Sequence, residues 1–393
     1  MKESESRYRD WLDVRAGEGL LRELKDVEIS GEGTVTSDDA AYVNFSGNDY
    51  LGLSHHPALI ARSAEWANKY GAGAGASRLV TGNLSVFEGI ERKVANLKRR
   101  ASALVMASGF QTNAGVIQAL LDSQVLGGEP LVFADRLNHS SMHFGCQAAG
   151  VRQHRYRHCD VDHLASLLDA HRNSTQPKFI LTESVFSMDG DVAPIDEITA
   201  LARRHDAIVI CDDAHATGVL GEGGCGLSGN SDVVIGTFSK AMGSYGAYVA
   251  CSQGIRDYLV NRCTGLIYST ALPPPLLGAI DAALDLLPEL DAERAHVASL
   301  AAKLREAAAD IGYDTGTSVT QIVPVMTGEA DSAMALSSRM REAGYWATPI
   351  RPPTVPKGSA RLRLAFSSVH TQSQVDGLID VLARTRSAGY ANV

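Results

Sequence analysis

Between residues 100 and 250 the chain alternates short apolar runs with segments whose apolar residues recur at helical spacing. The runs "ASALVM", "PLVFAD", "KFILTES", "AIVICDD", "DVVIGTFS" and "GAYVACS" predict buried strands. "SGFQTNAGVIQALL" and "PIDEITALARRHD" predict helices that follow a turn or cap residue. This rhythm predicts an α/β domain around a largely parallel sheet. In "TALPPPLLGAIDAALDLL" the prolines break the chain and the tail reads as a long helix. Beyond it the pattern turns to Ala, Leu and charge through residue 312 and leads into a smaller α+β domain holding "QIVPVMT", "YWATPI" and "ARLRLAF". The predicted division is an N-terminal segment over 1–51, a large domain over 52–285 and a small C-terminal domain over 286–393.

Composition narrows the class. A chain of 393 residues that is 45% apolar and 21% charged can bury a large core. Its 36 basic and 45 acidic residues leave a net charge of −9, and the longest basic run is "KRR" at Lys98 to Arg100, so a nucleic-acid or anionic-membrane surface is not expected. That run reads as a solvated helix end. The charged N-terminus and the lack of a long apolar stretch predict neither a signal peptide nor a membrane span, hence a cytoplasmic protein. The six cysteines form no C-x-x-C pair and read as reduced thiols of the core.

Candidate chemistry concentrates at predicted strand ends. "AIVICDDAHATG" ends an apolar run in Asp212 and Asp213 with His215 close behind, and in "VVIGTFSKAMGSYGAYV" Lys240 stands among small and apolar residues just past another strand. Open α/β sheets bind ligands at that edge. An isolated pair of aspartates can also merely cap a turn. An amine, a carboxylate and an imidazole in one crevice suit a carbonyl cofactor held by a lysine, above all pyridoxal phosphate, with the carboxylate keeping the ring nitrogen protonated. A phosphate site is available where Gly109 and Phe110 open a helix, with Ser187, Thr237 and Ser239 as hydroxyl donors. His139 in "LNHSSMHFG" could lie flat against the ring.

Two motif matches weigh less. His139 with His143, and His154 with His158, have the i, i+4 spacing of a helical metal pair but lack the glutamate of H-E-x-x-H, so no metal is expected. "GAGAGA" from Gly71 satisfies G-x-G-x-x-[GA], yet it follows a predicted helix rather than a strand and reads as a flexible loop near substrate.

The ordered series "NFSGNDYLGLSHHP", "GASRLVTGN", "ASGFQTNAG", "ESVFSMDGD", "DDAHATGVLG", "TFSKAMGSYGAYV", "IYSTALPP" and "RPPTVPKGSARLRL" resembles the motifs of the α-oxoamine synthases, fold-type I pyridoxal-phosphate enzymes that join an amino acid to an acyl thioester with loss of carbon dioxide. The resemblance spans nearly the whole chain. It implies that Lys240 is the Schiff-base lysine and general base, Asp212 the partner of the pyridine nitrogen, His215 a partner near the ring hydroxyl and His139 the stacking imidazole. Gly109, Phe110, Ser187 and Thr237 would surround the phosphate. Arg363 matches the arginine that takes the amino-acid carboxylate, while Asn48, Thr354 and Arg22 match substrate-contacting positions, joined by Arg351 for the far end of the acyl chain. Two departures from the usual pattern, the alanines of "GAGAGAS" and Phe87 in place of a frequent histidine, bear on loop conformation.

Within the family, "IRPPTVPKGSARLRL" is most similar to members that condense L-alanine with a pimeloyl thioester, carried on coenzyme A or an acyl carrier protein, on the way to biotin. The alternatives are members that make aminoketobutyrate, aminolevulinate, a sphingoid base or a signalling aminoketone. A rival of another class is a catalytically idle homologue that binds cofactor only. The resemblance also implies a homodimer with the site at the subunit boundary, where Ser269 and Thr270 would reach the neighbour's phosphate.

Overall fold

The computed structural model describes residues 3–387, so the outermost residues of the two predicted terminal segments lie outside the described residues. The chain folds as two compact units: Asn48–Ser187 with Asp191–Ala295, and a second comprising the residues up to Gly47, Met188–Gly190 and those from His296 onward.

The larger unit is built on seven strands: β1 (Ser102–Met106), β2 (Leu131–Asp135), β3 (Gln153–Tyr156), β4 (Lys178–Glu183), β5 (Ala207–Asp212), β6 (Val233–Thr237) and β7 (Ala247–Cys251). Their order is β1-β7-β6-β5-β4-β2-β3; β7 runs antiparallel to both its neighbours and the pairs from β6 to β3 are parallel. All six apolar runs are therefore strands. The sequence pattern missed β3, because "QHRY" at the sheet edge alternates polar residues instead of forming an apolar run.

Strand alternation fills both faces of this sheet. Val132 and Ala134 pack with Val116, Ile117 and Ile210 on one face, while Leu131 and Phe133 pack with Ile180, Val209 and Leu201 on the other. A sheet covered twice explains why its strands read as continuous apolar runs. Helix Gly109–Leu120 covers the first face and packs against helix Ser140–Ala148 through Gly145, where an added Cβ would lie 2.7 Å from the Ile117 Cβ. Pro274 opens helix Pro274–Leu286 at its first position, so the prolines start that helix rather than interrupt one.

The smaller unit is α+β. Ile322–Gly328, Ala360–Ala365 and Thr348–Ile350 form an antiparallel sheet, and a second sheet joins Glu28–Ile29, Thr34–Ser37, Ala40–Asn44 and Tyr345–Trp346. Helices Ala330–Glu342 and Gln372–Ser387 belong to the same unit. Among the described residues no helix is long and apolar enough to cross a membrane, and all six cysteines are free thiols.

Candidate active site

Asp212 ends β5 and Asp213 follows it, and the alternation of the extended chain sends the two to opposite sides. Asp212 faces the side of helix Gly109–Leu120, where its Oδ2 accepts from Asn113 Nδ2 at 2.6 Å and its Oδ1 from the Ala214 N–H at 2.9 Å. Asp213 is fully buried on the other side and accepts from Lys98 Nζ at 2.6 Å, from Ser184 and from the Leu227 N–H. Burial opposes the Lys98 charge, yet Asp213 overcomes it and raises the ammonium above its ordinary value. Lys98 is thus no solvated helix end: both members of the pair are wholly shielded from water, with the ammonium also bonded to Thr217 and the Cys225 carbonyl. Asp213 is committed to the fold, which leaves Asp212 for chemistry.

Lys240 lies in the turn after β6, with its Nζ 2.8 Å from His215 Nε2. His215 Nδ1 is 2.7 Å from the Tyr50 hydroxyl, which donates to Asn48 Oδ1 at 3.1 Å. With that donation fixed, Nδ1–H donates to Tyr50 and Nε2 accepts from the lysine amine, so one tautomer satisfies the whole chain. A polar relay therefore runs from Lys240 to Asn48.

His139 caps helix Ser140–Ala148. Its Nδ1 is 2.7 Å from the Ser141 hydroxyl, which accepts at 2.9 Å from the Asn113 amide that also serves Asp212. Its backbone N–H donates to Glu183 Oε1 at 2.6 Å. Burial pushes the imidazole below its ordinary pKa against the pull of Asp212, and Lys240 adds to that push, so at neutral pH the ring is uncharged.

The start of helix Gly109–Leu120 offers a position for an anion. Ser108 caps it by accepting from the Gln111 N–H at 3.3 Å, while the N–H groups of Gly109 and Phe110 stand at the positive end of the helix. A Cβ on Gly109 would be 3.9 Å from the Thr237 Cβ, so helix start and strand end are neighbours. Thr237 donates to the Gly246 carbonyl at 2.8 Å and lies 2.7 Å from the Ser239 hydroxyl. Phe110 is exposed, its ring 5.5 Å from that of Phe144. Ser187 lies on the loop after β4, at the end of a chain segment of the larger unit. Amine, buried carboxylate, neutral imidazole and helix N-terminus together match the functional groups of pyridoxal phosphate.

The substrate candidates other than Asn48 and His139, which is also expected to meet substrate, belong to the smaller unit. Arg22 donates to the Thr354 hydroxyl at 2.9 Å and Arg351 donates to the Gly19 carbonyl, so the N-terminal arm and the "RPPTVP" loop meet as a cluster. Arg363 is buried on strand Ala360–Ala365.

Several partners escaped the sequence reading. Asn113, Ser141, Tyr50 and Glu183 each act through a contact far along the chain, 99 residues in the case of Asn113 and Asp212. Neither predicted histidine pair sits on one helix. His143 bonds Gln153, His154 lies on β3 against Phe133, and His158 bridges Asp135 at 3.1 Å and Asp191 at 2.8 Å. Phe87 lies beneath the Arg78 guanidinium, 4.1 Å from ring centre, while Arg78 pairs with Glu91 and Asn83. An aromatic ring holding a cation gives the "GASRLVTGN" segment its anchor.

Comparison with known proteins places the chain in a family. The family model described as aminotransferase class I and II matches residues 40–382. The 8-amino-7-oxononanoate synthase of Gluconacetobacter diazotrophicus is 53% identical over 380 residues, 95% of this chain and 96% of that protein. A solved structure of SPT with PLP superposes with a TM-score of 0.91 at 25% identity, covering 99% of this chain and 100% of the other. The crystal structure of 8-amino-7-oxononanoate synthase from Francisella tularensis gives 0.76 at 25% identity, covering 89% of this chain and 99% of that one.

Proposed function

The chain belongs to the class I and II aminotransferase family, and we propose that it condenses L-alanine with a pimeloyl thioester, releasing carbon dioxide, as an 8-amino-7-oxononanoate synthase of biotin synthesis. The fold is that of the fold-type I transferases and the cofactor is pyridoxal 5'-phosphate. The observation that carries the reading is the Lys240–His215 contact of 2.8 Å in the same strand-end crevice as Asp212, within a chain half identical to a synthase of that name.

When bound, the cofactor supplies a carbonyl for amine exchange and a ring that withdraws electrons from the substrate Cα. Asp212, fixed by two donors, would hold a proton at the ring nitrogen. Lys240 would take the proton from Cα and return one later; His215, accepting from its amine, aims the lone pair and shares the proton load with Tyr50. Neutral His139 would pack flat on the ring without competing for its charge. The Gly109 and Phe110 N–H groups with Thr237, Ser239 and Ser187 would hold the phosphate. Arg363 is proposed for the amino-acid carboxylate, as a guanidinium meets a carboxylate with two parallel bonds. Asn48, Arg22, Arg351 and Thr354 are proposed for the acyl substrate, and the working form is a homodimer in which Ser269 and Thr270 serve the partner's phosphate.

The test is a panel of amino acids against acyl thioesters with product mass recorded. Alanine with pimeloyl thioester should far outpace glycine with acetyl, glycine with succinyl and serine with palmitoyl thioesters, and the gene should restore growth of a biotin auxotroph lacking this step. One methylene changes discrimination by about 1–3 kcal/mol, so glycine should be slow rather than inert. Faster turnover with another pair, without rescue, would replace the substrate assignment.

A further inference from the structure

Three carboxyl groups end three adjacent parallel strands: Asp135 on β2, Glu183 on β4 and Asp212 on β5. Glu183 pairs with Asp212 in register, and all three are buried. The outer two each accept several hydrogen bonds. Asp135 accepts from His158, from the Leu137 N–H at 2.9 Å and from the Cys159 N–H at 2.8 Å, while Asp212 accepts from Asn113 and the Ala214 N–H. The middle one accepts from the His139 backbone N–H at 2.6 Å. Glu183 and Asp212 lie side by side on one face, and a buried carboxyl beside another carboxylate favours keeping its proton.

We propose that Glu183 carries its proton at working pH and serves as a positioning residue, its neutral carboxyl holding the His139 backbone so that the imidazole stays seated over the cofactor while Asp212 remains the charged partner of the ring. The charged and titratable groups that act on Glu183 are Asp212 beside it on β5, Asp135 on β2, whose side chain the register sends to the other face of the sheet, His139 on the loop after β2 and Lys240 after β6. With His139 uncharged, Lys240 is the one potential cation among these four, and it is bonded to His215. Burial first, and the Asp212 charge second, push the Glu183 carboxyl well above the usual carboxylate range, against the His139 bond and the Lys240 charge. Had Glu183 ionised, its charge would compete with Asp212 for any proton near the ring. Kept neutral, it supplies an acceptor without that competition. The inference rests on the cofactor reading and not on the choice of substrates.

The test compares Glu183→Gln and Glu183→Ala holoenzymes. Glutamine keeps a neutral acceptor of the same shape, so cofactor affinity, measured by absorbance titration of the apoprotein, should stay within about twofold. Alanine removes the acceptor of a buried N–H and should weaken affinity roughly five- to tenfold. On a His139→Ala background that second loss should largely vanish, which a contribution unrelated to His139 would not do. Infrared spectra of protein with isotope-labelled glutamate, taken at neutral pH, should show a protonated-carboxyl band that Glu183→Gln removes. Loss of carboxylate bands instead, or a Glu183→Gln protein as impaired as Glu183→Ala, would overturn the proposal. No readout uses an acyl substrate, so an error in the substrate pair leaves these results standing.

Discussion

Asp212 and Asp213 differ by what each meets across the sheet, and their substitutions should fail differently. Asp212→Asn keeps the shape and one of the two accepted bonds, its amide nitrogen facing a donor at the other, so folding should persist. The proton-transfer step should lose about 3–4 kcal/mol, as when one charge-stabilising group is removed from a preorganised site. Pre-steady-state absorbance with deuterated alanine checks it. Asp213→Asn leaves the fully buried Lys98 ammonium without its counter-charge, and breaking a buried pair costs about 3–5 kcal/mol. Urea denaturation should register that loss even in protein that still binds cofactor. Lys240, Asp212, His215 and His139 were legible in the sequence because each follows an apolar run that can only be a buried strand or opens the helix after one. Their partners were not, since no local pattern announces that an asparagine in one helix serves an aspartate at the end of a distant strand. Lys98 misled for a related reason: its neighbours Arg99 and Arg100 are surface-like, and only the aspartate brought under the helix end makes burial tolerable.

His158 ties three elements together, joining β2 through Asp135 to the segment after β4 through Asp191, with its ring edge-on to Phe186 at 4.4 Å. His139 stands four residues past Asp135 and Ser187 four before Asp191, so this clamp anchors both site loops. Burial alone would lower the imidazole's pKa, but the bonds to Asp135 and Asp191 raise it from 6.5 to about 12. A proton kept in the fold but shed by the unfolded chain stabilises fully below about pH 6.5 and progressively less as the pH climbs toward 12. The stability gap between the native protein and His158→Gln should therefore narrow between pH 7 and pH 9, by at most about 1.4 kcal/mol per unit; denaturation at the two pH values measures it. Helix packing offers a second check. Gly145→Val would drive a side chain into Ile117 and the Asn113 carbonyl, 2.7 and 3.0 Å from the new Cβ. It should cost about 1–3 kcal/mol in thermal stability and also weaken cofactor binding, because the two helices forced apart carry Asn113 and Ser141. At this scale the apolar runs announced six of the seven strands of the larger unit; its polar edge strand Gln153–Tyr156, with one sheet neighbour, and the short strands between Glu28 and Asn44 stayed hidden.

For the molecule as a whole, the N-terminal arm exposes Tyr8, Trp11, Leu12, Leu21 and Leu24, an apolar series that a lone chain would leave in water. Sedimentation of the holoprotein should give twice the 41.8 kDa chain mass, and Trp11→Ala should weaken the association; a monomer at micromolar concentration would refute the dimer. The paired aspartates also bear on how such a molecule can change over generations. On the proposed reading one carboxylate guards the fold and its neighbour the reaction, so no suppressor at position 213 should restore a lost Asp212. In return, a lineage or a protein engineer can alter the chemistry at 212 without drawing on the stability held at 213. Retuned or silenced descendants of this scaffold should then be easy to reach, keeping the buried lysine pair intact while the crevice beside it takes up another reaction.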